Sequence, residues 1–401
     1  MPTSRPDIAV LFGKCLPRLG VCSDIVAQVQ DVGGSTNIAW PAGQARIIGR
    51  HGSRLLAQLQ ALANDVRVLA SVRRGTYDAI QVRDKPLSGV LGLAVARILG
   101  LPFCFWLSYA YPESDVEWAR IQGATIGWLR MAVISLRGRL SYWLLYRWLL
   151  PRADHVFVQS DAMLAAVEQR GVARARLTAV PMGVDTEVVS QGCIRAVDDP
   201  RLAGRRPLTY LGALERVRRV DVLLDVLTRV KERVPNAILV LVGDAFEEAD
   251  RVWLRDCIAQ KGLADSVIQT GNLPTMQALS YVVAAEVGLS YLPRGPVYDV
   301  SSPTKAIEYM ALGCPVVAND IPDQRRVLEE SGAGICTATN VDEFSAAILQ
   351  LMLDPARRER MAALGPPYVE RERSYARLAQ LVAKQYATLL RKEDLESDCL
   401  R

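Results

Sequence analysis

The sequence predicts an α/β protein of two doubly wound, Rossmann-like domains with a cleft between them. Three observations carry this reading. Short apolar runs alternate with amphipathic helical stretches almost throughout, the pattern of parallel sheets covered on both faces. A length of 401 residues suits two domains of ordinary size. A polar, aperiodic segment rich in Arg, Asp and Gly, Gln191–Arg206, interrupts the alternation and reads as a linker.

In the first half the predicted strands are Ile8–Phe12, Val66–Ala70, Ala79–Val82, Phe103–Leu107, His155–Gln159 and Leu177–Val180. The turn Pro181–Asp185 closes a domain over 1–190. Gly89 to Tyr111 is apolar enough to imitate a membrane span, but Arg97, Gly100 and Pro102 interrupt it. A helix over Ser88–Leu99 and a buried strand at Phe103–Leu107 account for it better. In the second domain, 191–374, the strands are Leu208–Leu211, Ile238–Val242, Val267–Thr270, Val287–Tyr291, Pro315–Ala318 and Gly334–Cys336. Helices such as Val220–Val234 and Met276–Ala285 fill the intervals. A strongly periodic helix, Tyr375–Leu390, opens the last segment, 375–401.

Half the residues are hydrophobic and 23% are charged, which excludes a disordered chain. The net charge of +5 is spread without a dense Lys/Arg block, so no nucleic acid is expected as a partner. Eight scattered cysteines show no C-x-x-C pair and no metal-ligand spacing, which fits reduced thiols in a cytoplasmic compartment. The start, MPTSRPDIAVLFGK, lacks the features of a signal peptide.

The chemistry concentrates in SPTKAIEYMALGCPVVAND, Ser302–Asp320. Ser302 suits an N-cap and Pro303 the first helical position, with the helix running to Leu312, stopping at Gly313 and feeding the strand Pro315–Ala318. Lys305 opposes the helix dipole, where an acidic residue would gain ~0.3–1 kcal/mol. An anion held by the amides around Ser302–Thr304 would make that lysine attractive. Glu308, one turn on, then reaches a sugar hydroxyl beside a bound phosphate. On composition alone a solvated lysine and a surface glutamate on an ordinary amphipathic helix are the favoured reading, and the resemblance that follows shifts the balance.

This run resembles the nucleotide-sugar signature of family 4 (group 1) glycosyltransferases, in the branch with an S-P-x-K-x-x-E-Y-M-A-x-G form. Further matching segments are YDAIQVRDK at Tyr77–Lys85, FWLSYAYPE at Phe105–Glu113, ADHVFVQSDAM at Ala153–Met163, YLGALERVRRVDVLL at Tyr210–Leu224, LVGD at Leu241–Asp244 and TGNLP at Thr270–Pro274. The first seventy residues match poorly. The resemblance implies a GT-B fold whose terminal helix returns to the first domain. It implies a nucleoside-diphosphate sugar as donor substrate, no other cofactor, no metal, and retention of anomeric configuration.

On that resemblance Glu308 holds the ribose, and Arg218 stands where a phosphate-binding lysine is usual, with Arg216 a second match. Asn272 and Leu273 would pack the nucleobase, and Gly243 lies at the same edge. Two positions depart from the pattern: Ala213 where an arginine is common, and Val300 where the first glutamate falls, so that Asp299 beside it is a substitute. In the first domain Arg83, Asp84, Ser108 and Tyr109 would meet the acceptor, with Glu113 or Asp84 orienting its hydroxyl. His51 and His155 read as structural.

From Trp118 to Ala153 there is no acidic residue, while arginines and tryptophans alternate with aliphatics. Such a segment fits either a buried helical pair or an in-plane helix on an anionic membrane surface. The second fits a lipid-linked glycan acceptor and a protein peripheral on the inner face of the membrane. The reading is a metal-independent, retaining glycosyltransferase of polysaccharide or glycoconjugate assembly. A catalytically silent GT-B partner subunit and a nucleotide-sugar epimerase are the alternatives.

Overall fold

A computed structural model describes residues 5–30, 39–50, 53–117 and 127–398. The chain divides into two compact units, Met1–Pro181 with Tyr375–Arg401, and Met182–Ser374. The division falls at Met182 rather than at the predicted 190/191. Met182 and Val184 are buried with Ile307 and Met310 in the second unit's apolar core, and the Met182 N–H donates to Ser302 Oγ at 3.0 Å.

In the first unit, strands β1 (Ile25–Gln30) and β2 (Ala45–Arg50) form a parallel pair ahead of helix α1 (Arg54–Ser71). A four-stranded parallel sheet follows: β3 (Ile80–Arg83), β4 (Phe103–Leu107), β5 (His155–Val158) and β6 (Leu177–Ala179), neighbours in that order. Its helices are α2 (Pro86–Leu99), α3 (111–117), α4 (Trp128–Tyr142) and α5 (Asp161–Gln169). Every residue of β4 is buried, as its unbroken apolar run requires.

Two predicted strands fail here. Ile8–Phe12 lies in a π-helical run, Asp7–Cys15, because Ile8, Leu11 and Cys15 recur at helical spacing and bury one face. Val66–Ala70 lies inside α1, where Ser53 caps the Leu56 N–H and Asp65 turns inward to Lys85 and Ser88. β1 and β2 were not foreseen.

The second unit is a six-stranded parallel sheet in the order β12-β11-β10-β7-β8-β9. Its strands are β7 (Arg206–Leu211), β8 (Ala237–Val242), β9 (Val267–Gln269), β10 (Val287–Ser290), β11 (Val316–Asn319) and β12 (Gly334–Thr337). Between and after them run α6 (Asp221–Lys231), α7 (Glu248–Gln260), α8 (Thr275–Val283), α9 (Thr304–Ala311), α10 (Pro322–Ser331), α11 (Val341–Leu353) and α12 (Pro355–Tyr368). The terminal helix α13 (Tyr375–Asp398) belongs to the first unit, where Tyr375, Leu378 and Val382 pack with Leu11, Trp106 and Phe157.

From β7 the order runs outward through β8 and β9 on one side, and through β10, β11 and β12 on the other. The β7/β10 boundary is therefore the switch point, where loops diverge and leave a crevice at the carboxyl ends of the strands. Helix α9 is locked against this boundary by Tyr309, which is fully buried. The Tyr309 hydroxyl accepts from the Leu211 N–H at 2.8 Å and donates to the Leu289 carbonyl at 3.4 Å. Its ring fills the space over Gly288, where an added Cβ would lie 2.4 Å from a ring carbon. Gly288→Ala is accordingly expected to cost about 1–3 kcal/mol of stability through overpacking, read as a lowered denaturant midpoint at unchanged slope.

Candidate nucleotide-sugar site

The loop leaving β7 passes Gly212 and forms a single 3-10 turn, Arg216–Arg218, before α6. The loop leaving β10 ends in α9. Pro303, not Ser302, occupies the capping position (φ −71°, ψ 132°), and the helix begins at Thr304. The Ser302 side chain does not cap: its hydroxyl donates to Asp323 Oδ2 at 2.7 Å while accepting from Met182. Helical N–H groups without intrahelical partners therefore start at Thr304.

Two cations meet at the switch point. The Lys305 ammonium lies 4.6 Å from the centre of the buried Tyr210 ring, and within 3.4 Å of the Tyr210 hydroxyl. The Arg218 guanidinium lies 5.4 Å from the ring centre of Tyr298, which joins the loop after β7 to the loop after β10. Among the described residues neither cation forms an ion pair, although the neighbouring Arg219 pairs with Asp221 and Arg294 pairs with Asp299. Arg216 is exposed and stacks 5.3 Å over Trp253.

Burial and the field of Arg218 push the Lys305 ammonium down to about 7, partly offset by Glu308. Burial pushes the Glu308 carboxyl up to about 7, and Lys305 opposes the shift. Lys305, Arg218 and Glu308 are thus in one electrostatic neighbourhood, and both half-buried groups on α9 carry their charge at a cost.

Gly243 closes β8 beside them. Its φ of +139° and a virtual Cβ only 2.1 Å from the Gly212 carbonyl leave room for glycine alone. An added Cβ on Gly212 would lie 3.5 Å from the Lys305 ammonium. Gly243 also bridges to Gly271, which carries the exposed Asn272 and the half-buried Leu273 to the same edge. Asp299 is engaged: it accepts from Arg294 at 2.7 Å and from the Gly295 N–H at 3.3 Å. Among the described residues no cluster of three or more His, Cys, Asp or Glu side chains is placed to hold a metal ion.

In the first unit Arg83, Asp84 and Ser108 come together at the carboxyl ends of β3 and β4. Asp84 has a left-handed backbone (φ +55°) and accepts from the Ser108 N–H at 2.7 Å and from the Ser108 hydroxyl. Burial raises its carboxyl above the usual range. Arg83 pairs with Asp7, lies 3.4 Å from Asp84 and stacks over Trp106. Tyr109 is at the surface, edge-on to Tyr111.

Glu113 stands apart from this cluster. Its carboxylate accepts from Arg170 at 3.2 Å and from the Tyr146 hydroxyl at 3.4 Å, a set of contacts that ties α3 to α5. Glu113, the other carboxylate expected to orient an acceptor hydroxyl, is thus engaged by Arg170 and Tyr146, and Asp84 is the carboxylate beside Ser108. His155 is buried between Thr178 and Gln385; His51 lies outside the described residues. Sequence reasoning missed Asp7, Tyr210 and Tyr298. Asp7 was hidden by the misassigned strand; the tyrosines matter only through loops that meet at the switch point.

Residues 200–366 match the family described as "Glycosyl transferases group 1", and residues 12–183 match the "Glycosyl transferase 4-like domain". The D-inositol 3-phosphate glycosyltransferase of Nocardiopsis dassonvillei is 26% identical over 299 residues, 70% of this chain and 64% of that protein. The GDP-mannose:cellobiosyl-diphosphopolyprenol alpha-mannosyltransferase of Xanthomonas campestris is 31% identical over 179 residues, 44% of this chain and 42% of that protein. The chain thus spans less than two thirds of the length of these curated relatives. Among solved structures, sucrose-phosphate synthase from Thermosynechococcus elongatus superposes with a TM-score of 0.70 at 19% identity, covering 95% of this chain and 92% of that one. A glycosyltransferase from Rickettsia africae gives 0.70 at 13% identity, covering 97% and 96%. The fold is GT-B.

Because the folded protein holds Lys305 below its unfolded pKa, the unfolded chain retains a proton between pH 7 and 10 that the folded one has released. This group's contribution to stability therefore rises with pH across that window. Lys305→Met should raise the melting temperature of the ligand-free protein at pH 7 by roughly 2–4 °C, for a gain of about 1 kcal/mol, and flatten that rise. Thermal denaturation across pH 6–10 measures both.

Proposed function

From a chain whose two halves belong to glycosyltransferase families, the 4-like domain over 12–183 and group 1 over 200–366, we propose a retaining, metal-independent transferase. It moves a sugar from a nucleoside-diphosphate donor to a lipid-linked glycan acceptor. The observation that carries this is the unpaired Arg218 and Lys305 beside Glu308 at the switch point of the second unit.

In the transition state negative charge grows on the departing diphosphate, and preorganised cations stabilise that charge more than they stabilise the intact donor. Arg218 and Lys305 supply it, helped by the α9 amides from Thr304 onward. With a diphosphate in place, the two cations gain the counter-charge they lack. Glu308 accepts from the ribose hydroxyls, while Asn272 and Leu273 line the base. The acceptor oxygen bonds to the anomeric carbon as the bond from that carbon to phosphate breaks. The acceptor proton passes to the leaving phosphate oxygen on the same face, so no protein nucleophile is required. Asp84 orients the acceptor hydroxyl, with Arg83, Ser108 and Tyr109 beside it.

The lipid-linked acceptor rests on two supports. The Xanthomonas relative is named for a diphosphopolyprenol acceptor. In this chain α4 and the turn after it expose Leu129, Val133, Leu136, Leu140 and Trp143 at helical spacing, with Trp128 beside them and Arg139 and Arg147 also exposed. The opposite side of α4 packs on α3 through Gly138, which touches Val116. This is the exposed part of the segment 118–153; residues 118–126 lie outside the described residues, and Trp148 is half-buried against Arg152. Among the described residues no helix is long and apolar enough to cross a membrane. We place the protein on the cytoplasmic face, its apolar helix face lying on an anionic leaflet where each nearby arginine adds ~1 kcal/mol.

Five measurements test the proposal. A nucleoside diphosphate at one hundred times its Kd should stabilise the protein by about 2.7 kcal/mol, and Glu308→Ala should remove most of that. Affinity should fall above pH 7, where Lys305 loses its proton, and below pH 7, where Glu308 gains one. Lys305→Arg should remove the alkaline limb and Glu308→Gln the acid limb. No stabilisation by uridine, guanosine, adenosine or cytidine diphosphate refutes the donor site. A silent subunit would bind the nucleotide and never release product, and an epimerase would convert donor without acceptor. Turnover that survives chelation of divalent ions is expected. Flotation with anionic vesicles should drop at least tenfold in Trp128→Ser/Trp143→Ser; binding that is unaltered, or self-association through this face instead, sinks the membrane placement.

A further inference from the structure

A second charged cluster in the same unit is closed where the first is open. Arg373 and Asp323, only 4% and 5% exposed at the side chain, form a buried ion pair at 2.6 Å across fifty residues of sequence. The Asp323 carboxylate also accepts from the Ser302 hydroxyl, and Arg373 Nη1 lies 3.5 Å from that same oxygen. Ser302 in turn accepts from the Met182 N–H. Beside it, the Val184 N–H donates to the Arg373 carbonyl at 2.8 Å, and Val184 bridges Ser374 in parallel.

Four segments converge here. Residues 182–184 and 373–374 are where the chain enters and leaves the second unit. Asp323 opens α10. Ser302 is two residues from Thr304, the first residue of the helix that carries Lys305 and Glu308. The cluster is not needed as an apolar substitute: a buried ion pair of this kind is commonly matched or surpassed in stability by apolar side chains of similar size. What it supplies is direction, because Arg373 presents a planar fork to one carboxylate that no aliphatic side chain reproduces.

We propose that Ser302, Asp323 and Arg373 are positioning residues that couple occupancy of the nucleotide site to the two chain segments at the ends of the unit. The inference rests on the donor site proposed above. A diphosphate drawn to Lys305 and the first turn of α9 fixes the backbone at Thr304. Through Ser302 the same restraint reaches the Met182 amide, and through Asp323 and Arg373 it reaches Val184 and Ser374. The amides of Met182 and Val184 therefore report on a ligand that they do not touch.

Hydrogen exchange tests this with the wild-type chain, Ser302→Ala and Asp323→Leu/Arg373→Met, each with and without the nucleoside diphosphate that stabilises the wild type most. In the wild type, saturating nucleotide should slow exchange at Met182 and Val184 at least tenfold. In Ser302→Ala, which removes one hydroxyl and keeps the fold, nucleotide should still bind and the slowing at Met182 should vanish. The double variant should melt no lower than the wild type, yet bind the nucleotide about tenfold more weakly and show no slowing at Val184. Nucleotide binding without slowing in the wild type, or the same slowing in Ser302→Ala, overturns the coupling. A double variant of equal stability and unchanged affinity overturns it as well, since a purely structural pair would behave that way. Absence of nucleotide binding by the wild type overturns the donor site itself, and the coupling with it.

Discussion

Two positive charges held close together with no ion-pair partner are an unstable arrangement unless something else requires them. Arg218 and Lys305 are such a pair, each set over a tyrosine ring and each in the other's field. Ring quadrupoles relieve a small part of the repulsion, on the order of 0.5–2 kcal/mol per contact. Most of what remains is a standing demand for an anion. The surrounding fold meets only part of that demand, through the field of Glu308, since the nearby acidic groups Asp221 and Asp299 are paired with Arg219 and Arg294.

The rest of the second unit can be understood as what holds this demand in place. A parallel sheet whose order turns at β7/β10 opens a crevice between two diverging loops, and each loop delivers one cation. Tyr309 fixes the height of α9 against the sheet through Leu211 and Leu289, and Gly288 makes room for its ring. Gly243 and Gly212 let two strand ends approach closely enough that their backbone, not side chains, lines the space beside Lys305. Rigid elements therefore set the distance between the charges, which is the condition for electrostatic preorganisation.

How much of this the sequence displayed depends on the range of the interactions. Strands buried on both faces, such as Phe103–Leu107 and Ala237–Val242, announce themselves as unbroken apolar runs. The first seventy residues do not, because a short run such as Ile8–Phe12 is compatible with either period until its neighbours are known. Lys305 and Glu308 were visible as a local anomaly, a cation in the first turn of a helix with a carboxylate one turn later. Ser302 stood in the same segment, but its true partners are Met182 and Asp323, far away in the chain. Glu113 follows the same rule: its position after β4 was legible, its contacts with Arg170 and Tyr146 were not.

The two charge clusters of the second unit show the same side-chain chemistry put to opposite ends. Arg373 is satisfied by Asp323 and is shut away from water, so it offers no free charge to a ligand and acts by holding parts of the chain in register. Lys305 and Arg218 are left unsatisfied, so they hold nothing in register by themselves and must be held by Tyr309 and the sheet. A binding site needs both kinds. Unpaired charge provides the attraction, and paired charge beneath it keeps that attraction aimed, because a cation free to swing toward a surface carboxylate would lose the demand that makes it useful. Ser302 is where the two meet: its hydroxyl belongs to the closed cluster, while the backbone that follows it carries the open one.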